Sequence, residues 1–338
     1  MDATKSNVTV RATNTTSPHL VQLFLYNIGN LVLLNKDYVN LWESFDFPTD
    51  TLLPQQLLTR KIKLVSSRSQ TNFSSGFYKL SKSNRYDNIF SLFFNCPDVC
   101  SVYWSWLVFN NSRIGVLNSL GNFNSSDDFT FMSADYGVVL HKRLTLDYDG
   151  NNRLYSWEEK GRTWVVSWQA IQRPYWIDGA CGANSLCSYV IGSGRKCFCP
   201  PGYKMKNCRD WAYGCEPEVD LSCNRSEPGF LRMSHADFYG HDVNISHNYT
   251  FDQCRDLCLA ECDCKAFQYN FDEYVGFSIC YAKIRLLNGY LSPDLNGNIY
   301  LKLPKSKILS HTNPAEEFSL NCSSKVLYKA LNTMKMIQ

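Results

Sequence analysis

The chain has 338 residues, 44% hydrophobic and 14% aromatic, with 34 Lys and Arg against 31 Asp and Glu. Its length exceeds one ordinary core and predicts two to four domains, each with enough apolar and aromatic side chains to bury its own. A net charge of +3 without any Lys/Arg run excludes a nucleic-acid stripe and leaves acidic protein or glycan ligands open.

Residues 1 to about 20 are polar and rich in Thr and Asn, which predicts a loose segment. They contain no apolar h-region, so no signal peptide is read there. The most apolar stretch, LVQLFLYNIGNLVLL, is interrupted by Gln22, Asn27, Gly29 and Asn30 and is too short to span a bilayer. Short apolar runs between Leu20 and Phe47, broken by Gly29-Asn30 and Asn35-Lys36-Asp37, predict strands and hairpins. In WESFDFPTDTLLP, residues 42–54, Pro48 and Pro54 bracket a Thr-Asp-Thr stretch that predicts a fixed loop.

Residues 62–170 hold aromatic and β-branched runs, among them FSSGFYKL, IFSLFF, SVYWSWLVF and TWVVSWQAI, separated by turn-rich segments. No helical period is sustained, so an all-β domain or sandwich is expected. Within it, Asp147, Asp149, Asn151 and Glu158 nearly meet the spacing of an EF-hand. Asn152 stands where that loop needs Gly, and strands flank it, so a hairpin turn at Gly150, Asn151 and Asn152 is the reading. Many aromatics of this block, such as Tyr103, Trp104, Trp157 and Trp168, belong to a core; any left exposed suit protein or sugar contact.

Residues 178–215 are small, Gly/Pro-punctuated and cysteine-dense, a module that needs disulfides in place of an apolar core. Farther on, Thr250 and Gln253 form a capping box ahead of a helix that carries Cys254 and Cys258 on one face. KAFQYNF and SICYAKI then predict two strands, with Cys280 on the second. His235, His241 and His247 recur every six residues, a spacing that suggests solvent-facing loops rather than a metal turn. Glu158 and Glu159 are neighbours that point to opposite faces of a strand, and no nucleophile signature is present, so no catalytic residue is assigned.

Thirteen of the fifteen cysteines lie between Cys181 and Cys322, and nine N-x-[ST] sequons occur, at Asn7, Asn14, Asn72, Asn110, Asn124, Asn224, Asn244, Asn248 and Asn321. Sequons place the chain where thiols oxidise, so the clusters read as disulfides rather than zinc ligands, and no metal or cofactor is expected. Cys96 and Cys100 suit a local bridge; Cys181, Cys187, Cys197, Cys199 and Cys215 are expected to pair among themselves, in an order that the sequence leaves open. Fifteen is odd, so at least one thiol stays free or bonds another chain, with Cys208 and Cys322 as candidates.

Four motifs in series carry a family resemblance. WESFDFPTDTLLP resembles the closing segment of the bulb-type lectin domain of plant S-domain (G-type lectin) receptor-like kinases. LTLDYDGNNRLYSW resembles the S-locus glycoprotein hairpin, CGANSLC…CFCPPGY the EGF-like module, and CRDLCLAECDCKAFQYN the PAN/apple module. The likeness covers roughly residues 25–304 and is nearest to the maize-type members. It implies a mainly β, multidomain fold: 1–60 a truncated bulb-type lectin segment, 61–175 an S-locus glycoprotein domain, 176–222 an EGF-like module, 223–304 an α+β PAN/apple domain and 305–338 a linker and tail. By the same likeness Cys254 pairs with Cys280 and Cys258 with Cys264.

The family's mannose pattern Q-x-D-x-N-x-V-x-Y is missing, so no sugar-binding residue is carried over, and no kinase motif is found. The implied function is extracellular recognition in pollen or defence signalling, of a protein or peptide ligand, with a glycan left open. A receptor homodimer is a further implication. Membrane attachment would come only through a transmembrane segment outside this sequence, and the disulfide-rich chain is expected to continue upstream of Met1. Two other readings stay open: a fragment of a serine/threonine kinase gene model without its catalytic half, and a soluble carbohydrate-binding lectin.

Overall fold

In the computed structural model of the chain the described residues are 21–59, 61–82, 90–96, 99–106, 114–126, 129–190, 194–221, 223, 227–287 and 289–311. The expectation of a loose segment over residues 1–20 lies outside them. The fold is mainly β and built of seven sheets, with two helices among the described residues.

Three short strands open it: β1 (Gln22–Leu25), β2 (Leu31–Leu34) and β3 (Asn40–Glu43), paired antiparallel in that order. The first turn is closed by the Tyr26 N–H donating to the Asn30 carbonyl, with Gly29 at φ +90°, a value glycine adopts without steric cost. Val32 and Leu34 of β2 are buried, whereas every residue of β1 is exposed.

Twelve strands follow: β4 (Thr51–Leu52), β5 (Leu57–Thr59), β6 (Leu64–Ser67), β7 (Ser75–Lys82), β8 (Phe90–Cys96), β9 (Val99–Trp106), β10 (Ile114–Leu117), β11 (Asn122–Ser125), β12 (Thr130–Met132), β13 (Lys142–Leu146), β14 (Asn152–Glu158) and β15 (Thr163–Gln169). They make three four-stranded sheets, ordered β12-β11-β10-β5, β15-β14-β13-β4 and β6-β7-β8-β9. Strand side chains alternate between faces, and the inward set is apolar: Leu64, Tyr78, Leu80, Leu92, Phe94, Leu144, Leu146 and Leu154 meet in one core with Leu52 and Leu58. Leu52 pairs with Leu144, and Leu58 with Gly115. Residues 51–59, assigned by sequence to the lectin segment, are thus woven into the sheets of the next block.

The remaining elements are β16 (Leu186–Val190), β17 (Gly194–Phe198), β18 (Tyr203–Met205), β19 (Cys215–Pro217), β20 (Pro228–Ser234), β21 (Ala236–Phe238), β22 (Asp242–His247), α1 (Phe251–Ala260), β23 (Ala266–Asp272), β24 (Phe277–Lys283), β25 (Gly289–Leu291), β26 (Asn298–Pro304) and α2 (Lys305–His311). A five-stranded sheet, β20-β26-β23-β24-β22, packs against α1. A second sheet runs β17-β16-β25-β21, and there β16 pairs in parallel with β25, Leu186 opposite Gly289. A Cβ at Gly289 would lie 2.0 Å from the Ser185 carbonyl oxygen, so glycine is what lets the two strands approach.

Helix α1 starts at the capping box read from the sequence: the Gln253 N–H donates to Thr250 Oγ1 at 3.2 Å, and the Thr250 N–H to Gln253 Oε1 at 2.8 Å. Residues 305–311, expected to begin a linker, instead form α2, because Ile308 has an apolar surface to pack against. No helix among the described residues is long and apolar enough to cross a membrane.

Candidate functional site

The structure joins Cys254 of α1 to Cys280 of β24, and Cys258 to Cys264, with Cα–Cα distances of 5.6 and 5.3 Å. Cys199 joins Cys215 across 5.7 Å. Cys223 joins Cys262 across 5.2 Å, a pair the sequence did not suggest, since no local pattern links positions 39 apart. Cys181, Cys187 and Cys197 form a cluster whose sulfurs all lie within 4.8 Å, with Cys181 in bonding reach of both others. Cys208 is exposed and has no disulfide partner among the described residues. Cys96 and Cys100 face Val99 and Asn95 across the turn between β8 and β9, but their side chains, like all of Cys322, lie outside the described residues.

The acidic hairpin tempting as a calcium loop has its carboxylates already occupied. Asp147–Asn151 form the turn between β13 and β14, and Gly150 alone of its residues takes a positive φ, at +89°. Arg153 Nη1 donates to Asp147 Oδ2 at 2.5 Å and to Asp149 Oδ1 at 2.9 Å, and its Nη2 donates to Asp149 Oδ2 at 2.8 Å. Tyr155 Oη donates to Asp147 at 2.7 Å. Burial pushes Asp147 up despite these partners, and burial plus the Asp147 charge pushes the Tyr155 phenol up. A cation entering would have to displace a guanidinium held by two carboxylates.

This network forms one wall of a cleft of about 800 Å³. The rest of the lining comes from the loop before β4, which brings Asp50, from Lys63 just before β6, and from the β6–β7 turn, which brings Phe73. The Asp50 carboxylate accepts from Thr51 Oγ1 at 3.0 Å, and Thr51 lies 3.0 Å from Thr145 of β13, which ties the two parts of the lining together. Arg143 also lines the cleft; its guanidinium lies over the Trp164 ring at 4.3 Å, and its Nε is buried without a hydrogen-bond partner among the described residues. Phe73 is 84% exposed at the rim, with Tyr148 half-buried nearby. Acids and bases of near-equal number, hydroxyls and a bare ring equip the cleft for a polar ligand with an apolar part rather than for a highly charged one.

Other aromatics went mostly to the core: Trp168 stacks on Phe131 at 3.6 Å, and Tyr103 Oη donates to the Gly150 carbonyl at 2.6 Å. Glu158 and Glu159 are both exposed. His235 is an exposed turn residue, as expected, and His247 is exposed on β22, whereas His241 is half-buried. His241 Nε2 lies 2.9 Å from Oδ2 of the buried Asp178, and His247 packs edge-on against Phe277. Of the sequons, Asn72, Asn124 and Asn248 are exposed. Asn72 accepts the Ser74 hydroxyl at 2.8 Å in the turn that carries Phe73. The Asn244 side chain and all of Asn7, Asn14, Asn110, Asn224 and Asn321 lie outside the described residues.

Comparison with known families gives three matches in series: D-mannose binding lectin over residues 1–74, S-locus glycoprotein domain over 100–207 and PAN-like domain over 223–288. A Zea mays protein named as the receptor protein kinase ZmPK1 is 36% identical over 80% of this chain and 34% of its own length. The Oryza sativa G-type lectin S-receptor-like serine/threonine-protein kinase LECRK2 is 28% identical over 83% of this chain and 38% of its own length. The Arabidopsis thaliana kinase of the same description, At5g24080, is 26% identical over 79% and 36%. The chain therefore spans little more than a third of the length of these curated relatives.

Proposed function

We propose that this chain, which carries the lectin, S-locus glycoprotein and PAN-like domain series of an S-domain receptor-like kinase ectodomain, recognises a secreted peptide outside the cell. The observation that carries the reading is the cleft at the junction of the lectin-matching and S-locus-matching segments, whose lining combines Asp50, Lys63 and Arg143 with the exposed Phe73. Paired charges with a ring at the rim suit a peptide backbone and one apolar side chain. Signalling would pass to a kinase domain of the full-length protein, as the names of the relatives suggest, and pollen recognition or defence is the setting we infer from the family. No kinase motif lies in this sequence, so we assign this chain no catalytic step.

The ectodomain, secreted from a eukaryotic host, is tested by surface plasmon resonance against a panel of secreted cysteine-rich peptides. A bound peptide is expected to lose at least tenfold in affinity to Phe73→Ala and to Lys63→Glu. Peptides that bind both variants as tightly as the parent would overturn the cleft as the site. The lectin match keeps a second reading in view: binding on a mannose-containing glycan array that survives both variants would favour a sugar-binding protein instead.

A further inference from the structure

A second recess lies on the opposite part of the chain, where the disulfide-rich module meets the PAN-like domain. Its volume is about 450 Å³. Tyr203 of β18 and the segment from the end of β19 contribute to the lining, together with the residues that follow α1, those that follow β24 and strand β26. Part of the wall is apolar, with Val219, Leu221 and Ile284 in it. Three cationic side chains line it, Lys265, Arg285 and Lys302, against one lining carboxylate, Asp263.

The two lysines are held by uncharged oxygens. Lys265 Nζ donates to Asn184 Oδ1 at 3.0 Å. Lys302 Nζ donates to the Cys258 and Glu261 carbonyls at 2.9 and 3.0 Å, which closes the C-terminal end of α1. An ammonium has three N–H donors, so each lysine keeps at least one without a protein partner among the described residues. Neither is within ion-pair distance of a described carboxylate. Burial pushes both lysines down; the Arg285 charge adds to this at Lys265, where Asp263 partly offsets it, and Glu261 partly offsets it at Lys302. Partly buried positive charge with no ion-paired carboxylate among the described residues is costly, and an anion entering the recess would relieve it.

We propose that this recess is a binding site for an acidic peptide, with a carboxylate between Lys265 and Arg285 and the neighbouring apolar side chain against Val219, Leu221 and Ile284. The apolar part of the wall favours a peptide over an acidic polysaccharide, whose hydroxyls would find few partners there. The site is separate from the Phe73 cleft, so either can fail alone.

The experiment is calorimetric titration of the whole secreted chain with acetyl-glutamyl-phenylalanine amide and with its glutamine counterpart. The acidic probe is expected to bind at least tenfold more tightly, to weaken several-fold between low and high salt, and to lose at least tenfold in Arg285→Gln and in Lys265→Gln. Arg285 is exposed, so its variant keeps the test valid if the Lys265 variant fails to fold. Equal affinity for the two probes overturns the proposal, as does an unaffected Arg285→Gln. Inorganic sulfate binding as tightly as the peptide would remove the role of the apolar side chains. Polygalacturonate binding where the peptide does not would show the wrong class of ligand.

Discussion

Lys142 shows how single side chains hold this protein. It sits in β13 with no side-chain exposure, and its ammonium donates to Asp135 at 2.8 Å and to Ser156 Oγ at 3.0 Å. Burial alone would raise the Asp135 carboxyl, but hydrogen bonds, chiefly from Lys142, outweigh it and bring the group down to about 2. A carboxyl lowered by folding stabilises the protein fully above its ordinary value and ceases to do so as pH falls through its folded one. The pair should therefore contribute above about pH 4 and lose that contribution towards pH 2. Asp135→Asn leaves a buried ammonium without its carboxylate and is expected to cost about 3 kcal/mol in urea unfolding at pH 7. The variant should also lose part of the acid limb of the stability profile; an unchanged limb would show that other carboxylates set it.

Elements are where the sequence was most legible. Thr250, Gln253 and the i, i+4 spacing of Cys254 and Cys258 predicted α1 and its buried face, because caps and helical periodicity are written in neighbouring residues. The alternating strands of residues 62–170 were readable for the same reason. The trio Cys181, Cys187 and Cys197 was not resolved into partners, since β16 and β17 place Cys187 and Cys197 opposite each other while Cys181 approaches from a turn. One sulfur forms one disulfide, so this cluster holds a single bond and leaves one thiol. Non-reduced peptide mapping after denaturation in alkylating reagent should find one alkylated cysteine among the three, besides Cys208. The same map is expected to carry glycans on the exposed Asn72, Asn124 and Asn248. Three alkylated residues and bare sequons would mean that the chain never meets an oxidising compartment.

At the scale of the whole molecule, stability has two origins. The core under β4–β15 is built almost wholly of Leu, Phe, Tyr and Ile, whereas the cluster beneath α1 contains Cys254, Cys258, Cys264 and Cys280. A disulfide contributes about 2–4 kcal/mol, so reduction should affect the two regions unequally. Hydrogen exchange in dithiothreitol is expected to show α1 and β23–β24 losing protection while β13 and β14 keep theirs; simultaneous loss would mean one cooperative unit. The long-range joints were invisible in the sequence. Arg68 pairs with Asp210 and lies 3.7 Å over the Phe77 ring, and His241 meets Asp178, yet nothing local at either position names a partner so far along the chain. The Phe73 cleft was hidden for the same reason: its walls come from loops about a hundred residues apart and exist only once β4 has paired with β13.

The parallel seam of β16 against β25, admitted by the bare α-carbon of Gly289, bears on how specificity can evolve or be engineered. Recombination between paralogues at the obvious breakpoint near residue 222 would separate two halves of one ladder, so hybrids ought to tolerate exchange only when both travel together. Surfaces on either side of that seam would then have to be exchanged as a pair.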